Sequence, residues 1–217
     1  ENIGCFTLTP SWKAVQNADF YEVEYDGMLY STIRDTEFTF EGMQPETKYD
    51  FKVRAVNKDG HSEWTTASAT TKANPLELAI KGIKAQTTCE NQGGSGVNKL
   101  FDFDEKTIWH TKWGKGEAVP SDMTIDLRSV NTLDRLEYMP REDAGNGTLL
   151  KGTISYSTDR QTWSEPIEFE WAKDGSTKTF KFNGNPTARY IRMHISAAAG
   201  NFGSGRELYV FKVAGTE

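Results

Sequence analysis

Cysteine and histidine are scarce in this chain of 217 residues, which has two of the former, Cys5 and Cys89, and three of the latter, His61, His110 and His194. Neither a CxxC pair nor an HExxH motif can be built from them, so zinc centres and thiol chemistry find little material here. A disulfide would have to cross the domain boundary drawn below, and the two thiols are expected to stay unpaired. Basic charge is also short. Lys and Arg number 25 against 31 Asp and Glu, a net charge of -6, which offers no electrostatic footprint for a phosphate backbone or an anionic bilayer. Nucleic acid is not an expected partner. No run approaches the ~18 apolar residues of a membrane span, and Glu1 to Pro10 lack the charged-then-apolar pattern of an export leader. The chain is then either cytoplasmic or a portion of a larger exported protein. No GxSxG elbow occurs either, and the α/β alternation that would hold one is missing.

Aromatic residues are plentiful at 12%, with 36% hydrophobic and 26% charged, the mixture of a folded globular chain. Its length suits one large domain or two ordinary ones. From Thr7 to Lys72 apolar residues alternate in short runs: Tyr21, Val23 and Tyr25; Phe38 and Phe40; Tyr49, Phe51, Val53 and Ala55. That period of two marks strands, with Asp26-Gly27 as a hairpin turn and Pro45 and Gly60 punctuating others. The pattern stops at Ala73-Asn74-Pro75, where proline forces its predecessor into an extended conformation. Alternation resumes in Met123, Ile125, Leu127; Ile154, Tyr156; Phe180, Phe182; Ile191, Met193, Ile195; and Leu208, Val210. The fold class is all-β, in two sandwiches, with no internal repeat.

Residues 1–72 resemble a fibronectin type III domain. Trp12 matches that family's early core tryptophan, and Met43-Gln44-Pro45-Glu46-Thr47-Lys48-Tyr49, followed by Phe51, Val53, Ala55, Asn57 and Gly60, matches its tyrosine-corner strand. The resemblance implies an immunoglobulin-like spacer or protein-contact module with Trp12 and Tyr49 in its core.

Chemistry concentrates in the second segment. Asn98 to Thr107 places Asp102, Asp104, a hydroxyl and several carbonyls in one tight loop, a density of hard oxygens that suits Ca²⁺. The spacing is not that of an EF-hand, and an alternative stays open in which both aspartates only cap their own turn. Next come Trp109-His110-Thr111-Lys112-Trp113 and, further on, Met139-Pro140-Arg141-Glu142-Asp143-Ala144-Gly145-Asn146-Gly147. Flat aromatic faces and forked donors are what a pyranose needs. Each residue also has a plainer reading: Trp109 as core, His110 as a satisfied polar group, Arg141 as a surface ion-pair partner.

Together these stretches resemble the coagulation factor 5/8 type C, or discoidin-like, domains, and within them the family 32 carbohydrate-binding modules of microbial glycoside hydrolases. The resemblance runs through Leu100 to Thr111, Met123 to Leu127, Leu136 to Arg141, Ile154 to Asp159 with Trp163, Ala188 to Arg192 and Arg206 to Val210, and covers residues 75–217. It implies a galactose-binding-like β-sandwich with a structural Ca²⁺ held by Leu100 and Arg206 through their carbonyls and by Asp102, Asp104, Thr107 and Glu207. Phe103 departs from the family, which usually has glycine there. The resemblance also implies sugar contacts from His110, Trp113, Arg141 and Asn146, with axial-hydroxyl selection favouring galactose or N-acetylgalactosamine. Phe202, in a glycine-rich loop, is read as a second aromatic platform, and Glu90 with Asn91 as part of the same rim.

A glycosidase needs two carboxylates across a cleft, one with a raised pKa. Asp102 and Asp104 are better used on a metal, and Glu142-Asp143 reads as a solvated turn. The chain is therefore expected to be non-catalytic and monomeric, an extracellular, cell-surface or periplasmic part of a glycoside hydrolase that contacts terminal sugars and its own catalytic domain. A rival reading is an adhesion or architectural discoidin domain.

Overall fold

The computed structural model describes residues 2–114 and 118–215. The outermost residues of the two expected segments, Glu1 and Thr216 to Glu217, lie outside them. Two compact units divide at Glu77/Leu78, just beyond the Ala73-Asn74-Pro75 joint. Asn74 closes a turn after the proline, accepting the N–H of Leu76 at its side chain and that of Glu77 at its carbonyl.

Among the described residues of the first unit, strands Phe20–Tyr25, Met28–Ile33, Lys48–Asn57, Gly60–His61 and Thr65–Thr70 form one sheet, and Asn2–Ile3, Thr7–Thr9 and Phe40–Glu41 the other. Asp26 and Gly27 both take positive φ (49° and 74°), the two-residue turn whose twist suits a hairpin. Leu8, Val23, Phe40, Met43 and Phe51 fill the space between, as their alternation requires. Tyr49 Oη accepts the Gln44 N–H at 2.8 Å, and Trp12 meets the ring of Tyr21 edge-on at 5.4 Å.

The second unit is organised by one long strand, Ser121–Met139. Its first half pairs with Thr187–Ala198 and Lys84–Thr87, its second with Lys178–Lys181 and Glu207–Lys212. Between them the register slips from Asp126 to Asn131, and Arg128 takes φ of 71°. The irregularity lets a single strand serve both layers. Leu149–Ser157 and Ile167–Glu170 extend the first layer. Met123, Ile125, Leu133, Leu136, Ile154, Ile191, Met193, Ile195 and Val210 are wholly buried between the layers. Phe182, expected in a strand, stands one residue beyond Lys178–Lys181 and still packs into this core. Cys5 and Cys89 are both free thiols.

Candidate functional site

A two-residue ladder, Trp109–His110 against Ser204–Gly205, pins together loops far apart in sequence. Trp109 takes the core reading: it is fully buried, with Nε1 donating to Asn91 Oδ1 at 2.7 Å. Gly203 carries no side chain because a Cβ there would come within 2.6 Å of the Trp109 ring. Backbone bonds then close the 199–205 loop on both sides. Thr111 N–H donates to Gly203 O, Gly147 N–H to Ala199 O, and Ser204 N–H to Gly147 O. Tyr138 Oη, buried and held in its protonated form by desolvation, donates to Ser204 O at 2.6 Å.

This web sets three aromatic rings at one rim. His110 lies 5.9 Å from Trp113, nearly perpendicular, and 5.7 Å from Phe202. Trp113 is 60% exposed and Phe202 half-buried, whereas His110 is only 3% exposed. Its Nδ1 lies 2.5 Å from Thr111 O. A carbonyl only accepts, so in the neutral ring Nδ1 carries the proton and Nε2 is the acceptor. Trp113 is seated by its N–H on Gln92 Oε1, and Glu90 reaches the same loop through Lys112, Nζ to Oε2 at 2.7 Å. Asn146 is exposed. Its carbonyl accepts from Ser204 Oγ at 3.0 Å, and its carboxamide lies against Gly200. Arg141 stands on the same 140–148 loop, its Nη2 donating to Asp143 Oδ2 at 2.7 Å.

Trp113, Phe202 and His110 are thus in mutual contact through the imidazole, Asn146 abuts the same loop as Phe202, and Glu90 touches the loop of Trp113. Arg141 reaches Asp143, which sequence reasoning had read only as a solvated turn. Gln92, Thr111 and Ser204, which seat the others, were also missed. They carry no chemistry-specific pattern and matter only through the backbone they hold.

The oxygen-rich loop follows a 3₁₀ turn, Val97–Phe101, with Leu100 wholly buried. Asp102 accepts from Lys99 Nζ, Asp104 N–H and Thr107 Oγ1. Although partial burial pushes its carboxyl up, these donors, Lys99 first, hold it below the ordinary aspartate value. Asp104 Oδ1 takes the Lys106 N–H and its carbonyl the Thr107 N–H, which closes the turn. Among the described residues no three His, Cys, Asp or Glu side chains gather into a metal cluster. Glu207 is different: it is completely buried, and both carboxylate oxygens lack a hydrogen-bond partner. Burial, then the neighbouring Asp102, push its pKa up to about 8. A buried carboxyl beside a second carboxylate is satisfied either by a proton shared with that neighbour or by a hard cation, and the oxygen-rich donor set fits the cation. The neighbouring residue, Arg206, donates Nε to Pro140 O and Nη1 to Glu142 Oε1.

Phe103 adopts φ of 60°, the left-handed conformation for which glycine is suited. Its ring packs on Tyr209 at 5.3 Å, with Lys81 Nζ 6.0 Å from its centroid.

The F5/8 type C domain model matches residues 82–208, more than half of the chain. The chain belongs to the F5/8 type C domain family. A fibronectin type III domain matches residues 4–71 ahead of this F5/8 type C domain. Among curated proteins, galactose oxidase of Gibberella zeae is 32% identical over 124 residues, 55% of this chain and 18% of the oxidase. The A type blood N-acetyl-alpha-D-galactosamine deacetylase of Flavonifractor plautii is 26% identical over 143 residues, 64% of this chain and 18% of the deacetylase. The chain thus corresponds to about a fifth of these relatives' length. Solved structures similar to the F5/8 type C domain include two from Clostridium perfringens. A family 32 carbohydrate-binding module in complex with GalNAc-beta-1,3-galactose is 32% identical, with a TM-score of 0.57, covering 61% of this chain and 99% of that one. Another, in complex with galactose, is 25% identical with a TM-score of 0.57, covering 62% and 98%. Among the described residues no helix is long and apolar enough to cross a membrane.

Proposed function

We propose that the F5/8 type C domain is a non-catalytic carbohydrate-binding module for terminal galactose or N-acetylgalactosamine. The observation that carries this reading is the rim where Trp113 and Phe202 flank His110 beside Asn146. Trp113, the most exposed ring, presents a face to the apolar C–H surface of the hexose, with Phe202 closing the other side. His110 Nε2 accepts from one hydroxyl at a fixed point, Arg141 donates to hydroxyls through its fork, and Asn146 and Glu90 complete the rim. Two relatives in complex with galactose-type sugars, and two curated relatives named for such sugars, support the choice of hexose. A shallow site of this kind binds a monosaccharide with a Kd of roughly 0.1 to a few mM, so attachment to clustered glycans depends on multivalency.

In this reading Ca²⁺ is held by Asp102, Asp104, Thr107 and Glu207 with the carbonyls of Leu100 and Arg206. It supplies positive charge to two carboxylates that otherwise repel. Its role is structural. The fibronectin type III domain is a spacer, and the parent protein is an exported glycoside hydrolase that this portion tethers to glycans outside the cell or in the periplasm. Titration with galactose, N-acetylgalactosamine, glucose and N-acetylglucosamine, followed by tryptophan fluorescence with calcium present, tests the proposal. Saturable change with the first two is expected. No response to any of the four would overturn it in favour of an adhesion or architectural role.

A further inference from the structure

Arg141 stands on an irregular loop, and a long side chain there loses rotamer freedom whenever it is held for a ligand. The structure supplies a holder. Asp143 Oδ2 accepts from Arg141 Nη2 at 2.7 Å, while Asp143 Oδ1 accepts the Gly145 N–H at 3.0 Å, so each carboxylate oxygen is committed and the carboxylate plane is fixed by the backbone. The turn beneath is closed by Ala144 N–H on Arg141 O. Gly145 leaves the carboxylate room, since a Cβ there would approach it to 3.0–3.2 Å. Behind, Gly175 backs the loop so closely that a Cβ would fall 2.5 Å from Glu142 O.

We propose that Asp143 is a positioning residue for the sugar site, presetting the Arg141 guanidinium so that its remaining N–H groups face the ligand. The inference rests on the sugar-binding reading above. As an exposed pair, Asp143 and Arg141 contribute little to folding. The contact acts instead by removing freedom before binding, which is how a preorganised donor gains affinity.

Asp143→Asn separates the two jobs of the carboxylate. The carboxamide oxygen still accepts from Gly145 N–H, but its NH₂ then meets an Arg141 donor, and the guanidinium is released. Galactose titrations of the full chain, Asp143→Asn, Arg141→Ala and the double variant form a cycle. We expect Asp143→Asn to weaken galactose binding roughly five- to tenfold, with an unchanged melting temperature. In the Arg141→Ala background it should have no further effect. If the full chain binds galactose and Asp143→Asn matches it, or if the two losses multiply, the positioning role is overturned while the sugar site stands. If the unmodified chain binds none of the four sugars, both fall together.

Discussion

Glu207 lies buried against Asp102 with no donor for either of its carboxylate oxygens, whereas Asp102 collects the Lys99, Asp104 and Thr107 donors. Two neighbouring acids therefore titrate in opposite directions, one pushed down and the other up to about 8. Between the ordinary glutamate value near 4.5 and about 8, the folded chain holds a proton on Glu207 that the unfolded chain releases. Stability from this group is complete below that window and is lost as pH rises through it. Chelator-treated protein should melt at falling temperature from about pH 5 to about pH 8. Excess CaCl₂ should suppress the fall, and Glu207→Gln should remove both the slope and the calcium response. Thermal scans across pH with and without calcium check this. A calcium-independent slope would remove the cation from the account.

Arg141 and His110 are expected to fail differently when truncated. Arg141 is partly exposed on a loop, so Arg141→Ala should cut galactose affinity about tenfold or more with little change in melting temperature. His110 is buried under two rings, so His110→Ala also opens a cavity and should destabilise the fold by about 1–3 kcal/mol. Both side chains serve the sugar in the proposed reading, and the burial of His110 is what sets the two variants apart. Paired melting and binding measurements decide the matter, and equal stability of the two variants would contradict the packing described.

Phe103 tests whether the ring or the backbone matters more where glycine is usual. The left-handed conformation costs a bulky residue ~1 kcal/mol or more, and the aromatic contact with Tyr209 returns ~0.5–1.5 kcal/mol beyond burial. Phe103→Gly loses the ring and relieves the strain, while Phe103→Ala loses the ring and keeps it. Denaturant unfolding should therefore rank Phe103→Ala below Phe103→Gly by about 1 kcal/mol, the reverse of the order expected at a site with negative φ.

Most strands were legible because a half-buried strand writes a period of two into the sequence, and Asp26-Gly27 encodes its own hairpin through positive φ. The rim was legible only by resemblance. It depends on Trp109–His110 pairing with Ser204–Gly205, a contact across almost a hundred residues that no local pattern announces. The burial of His110 follows from Trp113 and Phe202 arriving from separate loops. The isolation of the Glu207 carboxylate is not legible in the sequence, because Glu207 heads a strand buried on both faces and its lack of donors arises only once that strand is packed beside Asp102.

Gly200 provides a test of the rim that replaces none of the proposed ligand-facing residues. It has φ of 64°, and a Cβ added there would fall 2.5 Å from Asn146 Oδ1 and 2.9 Å from its Cγ. Gly200→Ala thus combines a backbone penalty with displacement of the Asn146 carboxamide, the far end of a side chain that can rotate away. Gly184 isolates the first effect, since its φ is 72° and a Cβ there meets nothing within 4 Å. Both alanine variants should lose about 1 kcal/mol of stability to the left-handed conformation. Only Gly200→Ala should also lose galactose affinity, by severalfold, because only there does the methyl group evict a hydrogen-bonding group from the rim. Equal affinities for the two variants would mean that Asn146 takes no part in holding the sugar.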